Sequence, residues 1–317
     1  MDAMLVGAHE VEVFEAARPR LEAIAYRLLG SAADAEDAVQ DTFLRWQAAG
    51  REHIETPEAW LTKVLTNLCL NRLTSARARR ETYVGQWLPE PVFAGDRMLG
   101  PSETAEQRES VSIAVLTLLE RLSPQERAVY VLREAFGYSH GEIAEVLDLT
   151  EANSQQVYRR AKQHLATGRR RPAVDAAAAR KVVEEFLAAA LSGNTDSLVR
   201  LLTDDAVAIG DGGGVIISVP EPITGALRVA RFLRTLFKPT DAKWAMIGGR
   251  PELFAAVANG VPALVMVVGD RIAGVFALDV TDGGIAAVHA QANPGKLGRA
   301  TRQWAEITPG EPLAGNW

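Results

Sequence analysis

From about Val11 to Arg80 the apolar positions recur every three or four residues, the spacing of one helix face. Phe14, Leu21, Ile24, Ala25 and Leu28 form a stripe that stops at Gly30. Val39, Phe43 and Trp46 form a second, and Trp60, Leu61, Val64, Leu65 and Leu68 a third. Further on, Ile143, Ala144 and Leu147 follow Ser139, while Ser154, Val157, Ala161 and Leu165 follow Thr150. Ser139 and Thr150 are placed as N-caps of two short helices joined by a tight polar turn. Beyond Pro172 the pattern changes. Ala176–Ala190 predicts a helix burying Val182, Val183, Phe186 and Leu187, with a short helix at Leu198–Leu202 and another at Ala226–Phe237. Short apolar runs at Ala206–Ile209, Val215–Val219, Trp244–Ile247, Leu253–Val257, Ala263–Val268, Ile272–Val280 and Ile285–Ala292 predict strands between Gly-rich turns. The tail Gly298–Trp317 has no clear periodicity. An all-α half followed by an α+β domain with a curved antiparallel sheet is therefore expected.

A chain of 317 residues accommodates two or three domains, each able to bury a core. The net charge of −6 argues against non-specific coating of nucleic acid, but the sign alternates along the chain. Met1–Glu58 holds five Lys/Arg against twelve Asp/Glu, and Arg72–Arg80 holds four Arg and no acid. Glu151–Arg171 carries six Lys/Arg (159, 160, 162, 169, 170, 171) against Glu151, a local charge of +5. On this second short helix Ala152, Gln156, Arg159 and Gln163 lie opposite the apolar stripe, flanked by Asn153, Gln155, Arg160 and Lys162. Gln and Arg match adenine and guanine edges, so a helix-turn-helix entering a DNA major groove is expected. Asp34, Glu36 and Asp37 open the helix containing Trp46, where carboxylates suit the positive helix end. Asp37, Gln40, Asp41 and Arg45 remain on its outside, as do Asn67, Asn71 and Arg72 on the next. The single Cys69 excludes a disulfide framework and fits a reducing compartment. No secretory signal and no uninterrupted apolar run of about 18 residues are visible, so a cytoplasmic chain without a membrane span is expected.

Between these parts, about Glu81–Arg108, lies a Gly- and Pro-rich linker containing Trp87-Leu88-Pro89-Glu90-Pro91. Two prolines after a Trp–Leu pair suit a stiff ligand for an apolar groove, and equally a linker that buries its Trp locally.

The order of parts resembles an extracytoplasmic-function sigma factor, the promoter-recognition subunit of bacterial RNA polymerase. Asp34–Gln47 (DAEDAVQDTFLRWQ) resembles the family's segment that grips the β′ clamp helices of the core enzyme. That resemblance implies core contacts from Asp34, Asp37, Gln40, Asp41, Phe43, Arg45 and Trp46. Pro57–Arg80 is similar to the segment that melts and reads the −10 element. It implies a base-holding loop at Arg51–Glu58, readers at Asn67, Asn71 and Arg72, and phosphate contacts from Arg77, Arg79 and Arg80. Leu122–Leu165 resembles the −35 reader, implying DNA contacts from Asn153, Gln155, Gln156, Arg159, Arg160, Lys162 and Gln163.

The second half looks like the SnoaL/NTF2-like cone, and sigma factors with a fused SnoaL-like domain form one group of the family. Its WLPEP and NPxKL segments stand here as Trp87–Pro91 and Asn293-Pro294-Gly295-Lys296-Leu297. Its DGGGK turn stands as Asp211-Gly212-Gly213-Gly214 followed by Val215, without the Lys. The resemblance implies that this domain restrains the DNA-binding modules through the linker, in place of a separate anti-sigma protein, which is not expected. The implied divisions are residues 8–80, a linker at 81–108, residues 109–171, a cone at 174–292 and a terminal segment at 293–317. Polymerase core and promoter DNA are the implied partners, and the cone leaves room for an unidentified small ligand. No cofactor or metal is expected.

Cone folds also host isomerases and cyclases, which need an interior carboxylate or His with a matched partner. Asp211, Asp270, Asp279 and His289 are the candidates. Asp211 and Asp270 sit at Gly-flanked turns and His289 has no evident partner, so no catalytic residue is expected. A ligand-sensing helix-turn-helix regulator is the alternative, and it leaves Asp34–Trp46 and Ala59–Arg80 without a role.

Overall fold

The computed structural model describes residues 2–50, 54–81, 83–100, 107, 109–165, 175–307, 309–315 and 317, with side chains described except at 2–9 and 76–81. The chain divides into two compact units. One comprises Met1–Glu81, Gly95–Val111 and Val115–Thr167; the other comprises Thr82–Ala94, Ser112–Ala114 and Gly168–Trp317.

The first unit is helical. It contains α1 (Asp2–Leu29), α2 (Ala32–Ala48), α3 (Pro57–Glu81), α5 (Pro124–Phe136), α6 (His140–Leu147) and α7 (Glu151–His164); α4 is Ile113–Leu119. Phe14, Leu21, Ile24, Ala25 and Leu28 are buried, as the stripe on α1 requires. The end of the linker and the residues just beyond it are tied to α1 by one buried cation. Arg27 donates to Leu99 O at 2.6 Å, to Ser110 Oγ at 2.9 Å and to Met98 O at 3.3 Å. Burial lowers its pKa to about 10. Gly100 crosses over Arg27 at φ +64°, where a Cβ would stand 2.7 Å from Ala23 Cβ.

The second unit is built on one mixed sheet. Its elements are α8 (Ala176–Leu191), α9 (Thr195–Val199), β1 (Leu202–Asp211), β2 (Ile223–Thr224), α10 (Ala226–Leu236) and α11 (Asp241–Ile247). Then follow β3 (Glu252–Ala258), β4 (Val261–Val268), β5 (Arg271–Thr281), β6 (Gly284–Gln291) and α12 (Pro294–Glu306). The strand order is β2-β1-β6-β5-β4-β3. β1 runs parallel to β6, and the remaining neighbours are antiparallel. Register shifts at Leu202/Val207, Met266/Val267 and Asp279/Val280 interrupt the ladders, and such bulges bend a sheet. Val183, Phe186, Ala208, Leu233, Phe237, Leu264, Leu278 and Val288 form the core between helices and sheet. The fold class is as expected, helical regions followed by an α+β unit, but the sheet is mixed rather than antiparallel, because β1 lies beside β6 and runs in the same direction.

Three local expectations are corrected. Val215–Val219 is a loop, because three successive glycines precede it and Pro220 follows. Trp244–Ile247 belongs to α11, capped by Thr240 and closed at Gly248 in the left-handed region (φ 85°). The tail Gly298–Trp317 does have a periodic start: it continues α12, which Asn293 caps and Pro294 opens, and its Ala300 and Trp304 are buried on the same face as Leu297.

Candidate functional site

The helix-turn-helix is set by its caps. Ser139 Oγ accepts from Glu142 N at 3.1 Å while Glu142 Oε2 accepts from Ser139 N at 2.7 Å, a reciprocal capping box on α6. α6 ends at Asp148 in the left-handed region (φ 54°), and Thr150 Oγ1 accepts from Asn153 N at 3.2 Å to start α7. Ser154, Val157 and Ala161 turn inward. Asn153, Gln156, Arg159, Arg160, Lys162 and Gln163 are exposed, and Gln155 is half-buried. Two of the cations lean back toward α5: Arg160 to Glu126 at 3.9 Å and Lys162 to Glu134 at 3.6 Å. Burial pushes the Glu126 carboxyl up, but its bonds from Ser123 and the nearby His164 and Arg160 leave it lowered overall. Arg159 makes no ion pair among the described residues. The basic tail Arg169–Arg171 lies outside the described residues.

α2 and α3 bring together residues assigned to different partners. Arg72 pairs with Asp41 at 2.7 Å, and stands 3.8 Å from Asp37 and 4.0 Å from Asp34. Gln40, Arg45 and Asn71 are exposed, and Asn67 is half-buried. Phe43 is half-buried against Phe14, ring centroids 4.8 Å apart. Trp46 is only 3 % exposed; its indole donates to Glu10 O at 3.0 Å and its ring tilts against Trp60. It therefore anchors α2 to α1 and α3, whereas the neighbouring Leu44 is 53 % exposed and went unnoticed in the sequence. Residues 51–53 of the implied base-holding loop, and the side chains of Arg77, Arg79 and Arg80, lie outside the described set. α3 also touches the helix-turn-helix: Lys63 pairs with Asp148 at 2.6 Å and donates to Glu145 O at 3.0 Å. Thr62 Oγ1 and Tyr138 OH share a hydrogen at 3.2 Å.

In the sheet unit the linker motif is clamped around Asp211. This carboxylate is fully buried and fully engaged. Oδ2 accepts from Leu88 N at 2.9 Å, Lys296 Nζ at 2.6 Å and Gln291 Nε2 at 3.3 Å. Oδ1 accepts from Tyr83 OH at 2.6 Å and Gly213 N at 3.0 Å. Lys296 and Gln291 also donate to Leu88 O, at 2.8 and 3.2 Å, and Gln291 donates to Pro89 O at 3.2 Å. The Lys296 ammonium lies over the Trp87 ring, 4.2 Å from its centroid. Asn293 Nδ2 donates to Tyr83 OH at 2.7 Å. Burial, and then the bond to Asp211, raises the Tyr83 pKa.

Pro89, Glu90 and Pro91 are buried, and the strand-like run beyond them is paired in both directions. Val92 N donates to Asn259 Oδ1 at 3.1 Å, and Phe93 exchanges bonds with the Gln303 amide at 3.0 and 3.2 Å. Phe93 packs on Trp304, and Leu297 joins that cluster.

The glycine turn is obligatory here. A Cβ on Gly212 would stand 1.9 Å from Ile216 O, and one on Gly213 (φ +59°) 2.3 Å from the Asn293 amide. Gly214 (φ +74°) faces Val84. Val215, in place of the group's Lys, is 68 % exposed; the cation on Asp211 comes from Lys296. Sequence reading missed Tyr83, Phe93, Asn259, Gln291 and Gln303. For Gln291 and Gln303 no local signal exists, whereas the Asn259-Gly260 pair marks a hairpin turn.

Side chains alternate along β1, β5 and β6. Ala208, Leu278 and Val288 face the core, and Gly210 and Ala290 line a cavity of about 470 Å³ on that side. Asp211, Asp279, His289 and Gln291 fall on the opposite face, with Leu88 packed near Ile209 and Ala277. Asp270 is exposed in the β4–β5 turn. None of the four residues weighed for catalysis lines the cavity. Among the described residues no cluster of His, Cys, Asp and Glu could hold a metal, and no helix is long and apolar enough to cross a membrane.

Residues 13–79 match the family described as Sigma-70 region 2, and residues 112–165 that described as Sigma-70, region 4. The chain is 36 % identical over 298 residues to the ECF RNA polymerase sigma factor SigJ of Mycobacterium tuberculosis, covering 91 % of this chain and 93 % of the relative. It is 31 % identical over 293 residues to the probable ECF RNA polymerase sigma factor SigI of the same species, covering 90 % and 93 %. The crystal structure of M. tuberculosis SigJ superposes with a TM-score of 0.69 at 33 % identity, covering 90 % of this chain and 97 % of that one. The chain belongs to the extracytoplasmic-function sigma factors of RNA polymerase. Members of this family bind the polymerase core and promoter DNA.

Proposed function

We propose that this chain directs initiation at a defined promoter class, with its sheet unit controlling the linker between the two readers. In this reading α7 enters the major groove at the −35 element, with Asn153, Gln156, Arg159 and Gln163 foremost. α3 serves the −10 element, and the exposed side of α2, with Leu44 among its acidic and amide residues, meets the β′ clamp helices. Residues 8–80, 109–171 and 174–292 are the functional divisions, and the restraint on promoter access lies within the chain, so no separate anti-sigma protein is required. The cone is not catalytic: Asp211, Asp279 and His289 fall on the linker face of the sheet, away from the cavity.

The observation that carries the regulatory part is the hold on Leu88, whose N–H and carbonyl are both taken by the Asp211–Lys296–Gln291 group. A linker that merely tethered two domains would leave its backbone to water. The test is run-off transcription with purified core polymerase on promoters of varied −35 to −10 spacing. Trp87→Ala and Lys296→Met are expected to redistribute transcripts among the spacings. If both variants, shown to be folded, match the parent at every spacing, the regulatory reading fails. If the parent itself neither binds core nor initiates, the promoter reading fails.

A further inference from the structure

The helices of the sheet unit do not carry their charges alike. α8 mixes signs as an ordinary solvated helix does: Arg180 and Lys181 stand one turn before Glu184 and Glu185, and Arg180 pairs with Glu184 at 2.7 Å. α10 holds no acid. Its inner face buries Ala226, Val229, Ala230 and Leu233, while Arg228, Arg231 and Arg234 stand exposed three residues apart on the outer face. Lys238, also exposed, follows just beyond the helix end. Among the described residues none of these four side chains makes a hydrogen bond or an ion pair.

Helix stability does not account for the pattern. Like charges one turn apart repel, and Arg228 lies in the first turn, where the positive helix end disfavours a cation. The Gly225 cap supplies no side-chain acceptor there. Only Arg234 and Lys238, near the negative end, have a local reason to be basic. The field is felt within the fold as well: burial, and then the neighbouring Lys238, lower the Lys243 pKa.

The spacing fits a polyanion. Arg228 to Lys238 spans roughly 15 Å at about 1.5 Å per residue, and one strand of duplex DNA places a phosphate every ~3.4 Å of its axis. About four phosphates therefore lie along the same length, one for each cation. Guanidinium forks match phosphate oxygens in pairs.

We infer that the outer face of α10 is a duplex-DNA docking surface, on which Arg228, Arg231, Arg234 and Lys238 grip phosphates without reading sequence. The sheet unit thereby adds anchorage to the readers in the helical unit. The inference rests on the promoter reading only for the identity of the polyanion.

The test uses the full chain without polymerase and a labelled duplex of arbitrary sequence, titrated from low to high salt. The parent should bind with a steep salt dependence. The R228Q/R231Q/R234Q/K238Q variant should lose about 2–4 from the slope of log K against log salt, at ~0.9 per phosphate. Changing the three arginines to lysine should keep most of that slope, because the charge remains. Position is read with an iron–EDTA cleaver on Leu227→Cys, beside Arg228 and 48 % exposed. The native Cys69 is buried with its thiol pushed up to about 12, and stays unlabelled. Backbone cleavage is expected from the Leu227→Cys derivative and not from an Asp270→Cys derivative in the β4–β5 turn.

Absence of binding by the parent, an unchanged slope in the quadruple variant, or equal cleavage from both derivatives would each overturn the inference. So would a loss just as large, charge for charge, in K181Q/R302Q, whose cations are exposed elsewhere on the same unit. Weakened affinity of the quadruple variant for purified core polymerase, with the DNA slope intact, would overturn it in favour of an acidic protein surface. The duplex assay contains no polymerase, so its failure is distinct from a failure to initiate in run-off transcription.

Discussion

Arg72 in the helical unit and Asp211 in the sheet unit each sit among opposite charges, yet they are built on opposite principles. Arg72 is 27 % exposed, and the carboxylates of Asp34, Asp37 and Asp41 around it are 38–72 % exposed. Water screens all of them, so such a pair contributes little and exchanges partners readily. Asp211 is fully buried and Lys296 is 11 % exposed, with every remaining lone pair occupied by Leu88, Tyr83, Gly213 or Gln291. A desolvated pair of that kind is costly to break from one side only. Under the proposed function the contrast suits two tasks: a surface that trades its internal partners for polymerase and DNA, and a clamp that holds its linker.

The contrast can be broken at its buried side. Lys296→Met leaves Asp211 without its cation, and a loss of about 3–5 kcal/mol is expected in urea unfolding followed by Trp fluorescence. Adding Asp211→Asn should recover part of that loss, which a purely steric role for Lys296 would not allow. Gly213→Ala comes next. It places a side chain at φ +59° against Asn293, with an expected cost of about 1–3 kcal/mol in the same measurement. Arg72→Gln should cost no more than about 1 kcal/mol, and added salt should erase the difference. A larger, salt-insensitive loss would show that the two centres are alike after all.

The smallest effects are expected from pH, and their signs differ between the units. Tyr83 has its pKa raised from 10.0 by burial and the bond to Asp211. Its contribution is therefore complete below about 10 and lost as pH rises toward the folded value. His140, which shares a hydrogen with Ser154 at 3.0 Å, is lowered from 6.5 by burial and then by Arg133; Glu126 is lowered from 4.5. Their contributions are complete above 6.5 and 4.5 and disappear as pH falls through the lower folded values. Alkaline loss of far-linker protection in hydrogen exchange, and acid loss at α6–α7, would be the readouts.

Much of the helical unit was legible because its determinants are local. Ser139 with Glu142, and Thr150 before a stripe of Ser154, Val157 and Ala161, specify both helix starts within one turn. Short apolar runs carried less information. Trp244–Ile247 suits a strand or a helix equally, and Thr240 and Gly248 at its ends decide for the helix. Leu198–Leu202 straddles two elements, since α9 stops at Val199 and Leu202 begins β1. At the candidate sites, the exposed face of α7 could be read from its period. The burial of Trp46 could not, because its carbonyl partner, Glu10, lies on another helix.

By itself the sequence determined where the two helices of the helix-turn-helix begin, which faces of the first unit's helices are apolar, and that a Trp–Leu–Pro segment lies in the linker. Those features depend on sterics and hydrogen bonds between residues a few positions apart. Only the tertiary structure decided that Asp211 takes Lys296, 85 residues away, and that Arg72 turns to α2. The parallel pairing of β1 with β6 sets Asp211 beside Gln291 and puts the linker on one face and the cavity on the other. Strand register of that kind is fixed by the packing of the whole sheet, which no local pattern encodes.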